Sequence, residues 1–300
     1  MKRREFIQNS GLALGGLMLS PYLIAAPNLK KTTKITILHT NDTHSNIDAF
    51  PETHAKFPNQ GGVSRRHELI RKIRAEEENV LLLDAGDIFQ GTPYFNRFGG
   101  VLEMKLMTLL GYDAATMGNH DFDGGMDGFL KAKQYADFPF LCANYDFSNT
   151  ILDGKTEPYR IFEKGGVKIG VFGVGVELQG LVPDVHYKET KYLHPIETAQ
   201  ECVHKLKAAK ADLIICLSHL GYEYTTEKIS DRKLARQTEG IDLIIGGHTH
   251  TFLEKPTIEH NLNGKPTLIN QVGWAGVQLG RVDFYVGNHV KSESDLIIID

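Results

Sequence analysis

Short apolar runs recur along this chain, and several stop abruptly at a polar cluster. Ile35, Ile37 and Leu38 predict a buried strand over 35–39 that runs into Asp42-Thr43-His44. Val80, Leu81, Leu82 and Leu83 predict a central strand ended by Asp84-Ala85-Gly86-Asp87. Residues 112–117 predict a short strand leading to Gly118-Asn119-His120-Asp121-Phe122-Asp123. Strands over 213–217 and 241–245 end at Ser218-His219 and at Gly247-His248-Thr249-His250.

Helical periodicity separates these runs. Residues 63–78 predict an amphipathic helix with Leu69, Ile70 and Ile73 inward and its charged residues as a solvated face. Further helices are predicted over 101–110, stopped by Gly111, and over 125–135, 195–210 and 228–238. Residues 159–162 and 167–172 predict a hairpin turning at Gly165-Gly166. Strands are also expected over 138–143, 267–271 and 277–286, and loops over 88–93 and 151–158. The alternation of strands and helices, with a hairpin-rich end, is that of an α/β protein. Gly170, Gly173 and Gly175 lack the spacing and the following acid of a dinucleotide fingerprint.

Composition narrows the classes. The 300 residues are 41% apolar and 23% charged, with a formal charge of -4, and no basic stretch is interleaved with aromatics, so a nucleic acid polymer is not an expected partner. Cys142, Cys202 and Cys216 are far apart and sit in apolar surroundings, which predicts buried thiols. The first 26 residues predict a twin-arginine export signal: Arg3-Arg4 follows Lys2, an apolar glycine-rich run extends over 12–26, and Ala25-Ala26 offers a cleavage site. Ser20-Pro21 interrupts that run, so no stable membrane span is expected once the signal is removed. The expected organisation is a signal over 1–26, a linker over 27–33 and one catalytic domain over 34–300. The expected location is periplasmic or otherwise extracytoplasmic.

The chemistry lies at the strand ends. A single Asp-x-His turn is an ordinary Asx turn, and His39 and His289 are expected to be structural or solvent-exposed. The joint pattern is different. Asp42, His44, Asp87, Asn119, His120, His219, His248 and His250 all follow apolar runs, and the carboxyl ends of strands are where such sheets gather ligands. Carboxylates with imidazoles suit Zn, Mn or Fe. Two divalent ions roughly 3.5–4 Å apart need a shared carboxylate, and a hydroxide between them is a nucleophile at neutral pH. Asp87 is the central candidate for that bridge, and Asp84 for bracing it.

On these motifs the chain resembles the calcineurin-like metallophosphoesterase superfamily, and more closely the catalytic domain of secreted 5′-nucleotidases and 2′,3′-cyclic phosphodiesterases. Gly91-Thr92-Pro93 and Tyr112-Asp113-Ala114 add to the likeness. The resemblance implies a four-layer α-β-β-α sandwich. It implies that Asp42, His44, Asp87 and His250 hold one ion, and Asp87, Asn119, His219 and His248 the other. His120 would face the leaving group with Asp123 orienting it, and Asp121 would support the loop. The implied reaction is hydrolysis of a small phosphate monoester, a nucleotide first, by in-line attack of a metal-bridging hydroxide.

The nucleotidase branch also carries a C-terminal domain that clamps the base and supplies phosphate-binding arginines. The chain stops at Asp300 without it, so a separately encoded partner is expected to supply that domain. Two alternatives stand beside this reading. One is a thiosulfate-ester hydrolase of the same fold. The other is a non-catalytic metal-bound subunit that organises a substrate-binding partner.

Overall fold

The structure, a computed structural model, describes residues 32–287 and 290–300. The expected export signal, nearly all of the linker and His289 lie outside the described residues. Among the described residues, no helix is long and apolar enough to cross a membrane.

Two sheets form the centre. The first comprises β1 at Thr33–Thr40, β2 at Val80–Asp84, β3 at Ala114–Ala115, β12 at Gln278–Val286 and β13 at Val290–Ile298, in the order β13-β12-β1-β2-β3. Strands β1, β2 and β3 are parallel; β12 and β13 add to them antiparallel. The second comprises β5 at Tyr159–Lys164, β6 at Val167–Gly175, β8 at Leu213–His219, β9 at Leu243–Gly246, β10 at Thr257–His260 and β11 at Pro266–Asn270. Its order is β10-β11-β9-β8-β6-β5. Its central strands β6, β8, β9 and β11 are parallel. A short pair, β4 at Tyr145–Asp146 and β7 at Lys191–Tyr192, stands apart.

Alternation along each strand builds the layers. Ile35, Ile37, Leu81 and Leu83 of the first sheet meet Ile169, Val171, Leu213, Ile215, Leu217 and Leu243 of the second in a buried layer between the sheets. The intervening residues point outward. Leu38 and Leu82 pack under α1 at Val63–Glu76, α3 at Val101–Leu110 and α4 at Gly125–Lys133, with α2 at Pro93–Phe98 before α3 in the chain. Phe172, Ile214, Cys216 and Ile244 pack under α6 at Pro195–Ala208 and α7 at Asp231–Gln237, while the short α5 lies at Asp184–Tyr187. This is the expected helix-sheet-sheet-helix sandwich. Strands covered on both faces have no polar side to show, which is why they read as unbroken apolar runs.

Several local expectations are corrected. Residues 138–143 form no ladder, because their amides go to different partners: Leu141 donates to Ala115, Cys142 to Glu157 and Ala143 to Gly173. The helix expected from 228 starts at Asp231, where the Ser230 hydroxyl accepts the Lys233 amide as an N-cap. The charges of α1 are not all solvated, since Arg66 is buried. The loop expected over 88–93 ends one residue early, because Pro93 opens the short α2. Strands β10 and β13 are found where the apolar pattern predicts none. The three cysteines are free and buried, as expected, and burial pushes the Cys142 thiol up to about 12. His39 is a structural histidine: it is buried, its Nε2 lies 3.0 Å from Asn270 Nδ2, and burial lowers its pKa to about 3.

Candidate metal centre

The parallel strands of both sheets deliver their carboxyl ends to one edge. Asp42 and His44 follow β1, Asp87 follows β2, Asn119 follows β3, His219 closes β8, and His248 and His250 follow β9. Asp42, His44, Asp87, His248 and His250 all have φ between 46° and 71°. That conformation costs a non-glycine residue roughly 1–3 kcal/mol, and it persists only where the surroundings enforce it.

The enforcement is visible in the hydrogen bonds. The Asp42 carboxylate accepts the Asn41 side-chain amide at 2.6 Å and the His248 backbone N–H at 3.0 Å. Asn41 is itself fixed, donating to Gly273 and accepting from Val272. Asp121 accepts four backbone N–H groups, from Gly118, Asp87, Ile88 and Phe89, at 2.8 to 3.2 Å. It thereby ties the Asp87 turn to the Asn119 turn, the supporting role expected of it. Gly118 cannot be larger, since a Cβ there would lie 2.1 Å from Asp87 Oδ1. Asp84 accepts from Gly86 N–H and the Thr40 hydroxyl, so it braces the turn before Asp87.

Two donor clusters result. Asp42, His44 and His250 form one; Asp87, His219 and His248 form the other. His44 Nδ1 lies 3.2 Å from the Phe89 carbonyl and His219 Nδ1 2.7 Å from the Ala85 carbonyl, which directs both Nε2 atoms into the centre. Asp87 Oδ2 joins the clusters, 3.0 Å from His219 Nε2 and 3.7 Å from His44 Nε2. Asn119 Oδ1 lies 2.8 Å from His248 Nδ1. His44 Nε2 and His250 Nε2 are 3.1 Å apart.

Such a donor set fits divalent ions. His219 Nε2 is buried and faces Asp87 Oδ2, and in each cluster imidazole nitrogens and a carboxylate oxygen converge within reach of one common cation. The electrostatics agree. Burial opposes a charge on His219, yet the Asp87 carboxylate outweighs it and holds the imidazole up at about 10. Two clusters of histidine and aspartate make a dinuclear divalent-metal site.

The chain belongs to the calcineurin-like phosphoesterase family. The family model matches residues 35–252. A snake venom 5′-nucleotidase from Gloydius brevicauda is 37% identical over 89% of this chain and 48% of its own length. The 5′-nucleotidase precursor structure from Thermus thermophilus superposes with a TM-score of 0.78 at 32% identity, covering 88% of this chain and 55% of that one. The calcineurin-like phosphoesterase YfkN structure from Bacillus subtilis gives 0.71 at 27% identity, covering 90% and 92%. The chain spans about half the length of the curated relatives it matches first.

Beside the clusters stands a pair that belongs to neither. His120 Nδ1 lies 2.8 Å from Asp123 Oδ2, and both side chains reach solvent. The Asp123 hydrogen bond raises the His120 pKa. His120 also donates its backbone N–H to Asp87 Oδ1 at 2.8 Å, so the pair is registered to the metal centre. Two bracing residues escape sequence reasoning. Gln271 donates to the Gly247 carbonyl and accepts from Thr249, holding the loop that carries His248 and His250. Asp231 accepts the Ser218 hydroxyl beneath His219. Neither lies beside its loop in sequence, so no local signal marks it.

Proposed function

We propose that this chain is an exported metal-dependent phosphoesterase that hydrolyses small phosphate monoesters, with nucleotides as the first class to test. The observation that carries it is the pair of donor clusters joined through Asp87, with His120 and Asp123 alongside. In this reading Asp42, His44, Asp87 and His250 hold one ion, and Asp87, Asn119, His219 and His248 the other.

Two divalent ions held there supply charge neutralisation at phosphate and an activated water for in-line attack. The chain's own residues do the rest. Asp87 spreads one negative charge between the two clusters. Asn119 adds a neutral donor, which leaves the centre electropositive enough for an anion. His120, kept protonated by Asp123, gives its proton to the departing alcohol oxygen. The twin-arginine N-terminus supports export, and the similarity to snake venom proteins agrees with it. In this reading a separately encoded protein that binds the nucleobase is a candidate partner.

The test is a panel of nucleotides, cyclic nucleotides and sugar phosphates on the purified chain, with Mn, Zn or Fe added. Phosphate release that a chelator abolishes supports the reading. No release from any ester by the metal-loaded chain overturns it.

A further inference from the structure

A guanidinium and a carboxylate are buried beside the turn that carries His44. Arg66 of α1 and Glu103 of α3 are each only 5% exposed, and such groups are almost never fully buried without a partner. Both line one cavity of about 20 Å³, together with Thr43, Ser45 and Ile88. Among the described residues, Arg66 Nε and Glu103 Oε2 have no hydrogen-bond partner. The cavity has room for about one water and for no substrate, so the two side chains serve the turns around it.

Each of the two leads to a different member of one cluster. Glu103 Oε1 accepts the hydroxyl of Ser45, the residue after His44. Ser45 has a φ of 58°, a conformation a serine keeps only under constraint. Its N–H donates to the Ile88 carbonyl at 2.9 Å, and its carbonyl accepts the Thr92 hydroxyl at 2.7 Å. The Arg66 guanidinium lies against Gly276, where any side chain would collide with it. The preceding residue, Ala275, donates its N–H to the Asp42 carbonyl at 2.8 Å. Asp42 and His44 share a cluster with His250. In the other cluster, Asp87 is braced by Asp121 and His219 by the Ala85 carbonyl.

We propose that Glu103, with Arg66 as its countercharge, is a positioning residue for the Asp42–His44–His250 cluster. It acts through Ser45, whose hydroxyl it fixes, and so aims His44 at its ion. The inference rests on the ligand reading given above for His44 and His250.

The experiment is a calorimetric titration of the chelated protein with zinc, beside a thermal melt of the same protein. The binding step missing in His250→Ala marks the Asp42–His44–His250 cluster. Affinity at that step should follow the acceptor at position 103, while Tm should follow the balance of charge. Glu103→Gln keeps an oxygen for Ser45 but leaves Arg66 without its countercharge. It should melt below wild type and bind that ion nearly as well. The double variant Arg66→Met/Glu103→Leu removes both charges and the acceptor. It should melt close to wild type, yet bind that ion about 10–100-fold more weakly with the other step unchanged. Affinity that falls in step with Tm across the variants, equal weakening of both steps, or an unweakened step in the double variant overturns the proposal and leaves the ligand reading standing. Wild type that binds no ion, or His250→Ala that keeps both steps, overturns the ligand reading and the proposal with it.

Discussion

Asp87 Oδ2 lies 3.0 Å from His219 Nε2, although Asp87 follows a strand of the first sheet and His219 closes a strand of the second. The contact closes the sandwich at its carboxyl edge and places one carboxylate between two donor clusters. Asp87→Asn keeps the shape and removes the charge. It should lower the affinity for the second ion by more than the ~10–100-fold typical of a bracing residue, and turnover with it. Elemental analysis after dialysis checks this. Two retained ions with normal turnover would contradict the bridging role.

Asp121 makes no contact with a substrate in this account, yet it accepts four backbone N–H groups. Asp121→Ala should leave buried donors unpaired at roughly 1–3 kcal/mol each and lower Tm markedly. Asp121→Asn should melt between Asp121→Ala and wild type. A thermal melt of Asp121→Ala within about 2 °C of wild type would contradict the bracing role.

His120→Ala separates proton donation from metal binding. Both ions should remain, and the loss should depend on the leaving group. An alkyl phosphate should lose about 10²–10⁴-fold in kcat/KM, and nitrophenyl phosphate clearly less, because nitrophenolate departs without a proton. Equal losses on the two esters, or loss of an ion, would remove His120 from the acid role.

The Asp123 hydrogen bond raises the His120 pKa, so an acid at this position stays protonated to higher pH. Activity on an alkyl phosphate should fall as pH rises through that pKa. Asp123→Asn lowers it, so the falling limb should move to lower pH. The pH profile of kcat/KM measures this directly, and a limb that stays in place or moves up would contradict the pairing.

Much of this was legible in the sequence, for a physical reason. Strands β2, β8 and β9 are covered on both faces, so Leu81-Leu82-Leu83 and Leu213-Ile214-Ile215 announce themselves as continuous apolar runs. The proposed ligands follow such runs, so their clusters were visible too. Edge strands carry no such signal: β13 is mostly polar and exposed, and it is ordered by pairing with β12. Arg66 was misplaced because a charge on a helix reads as solvated unless the packing around it is known. Gln271 and Asp231 act on loops distant in sequence, and only the fold brings them there.

The most direct test is a metal titration of the chelated protein, with phosphate release followed at each step. Two equivalents should bind, and hydrolysis of a phosphate monoester should appear with occupancy of both clusters and vanish again with chelator. Stoichiometric binding of two ions without phosphate release from any ester, or hydrolysis that persists in the chelated protein, would contradict the account.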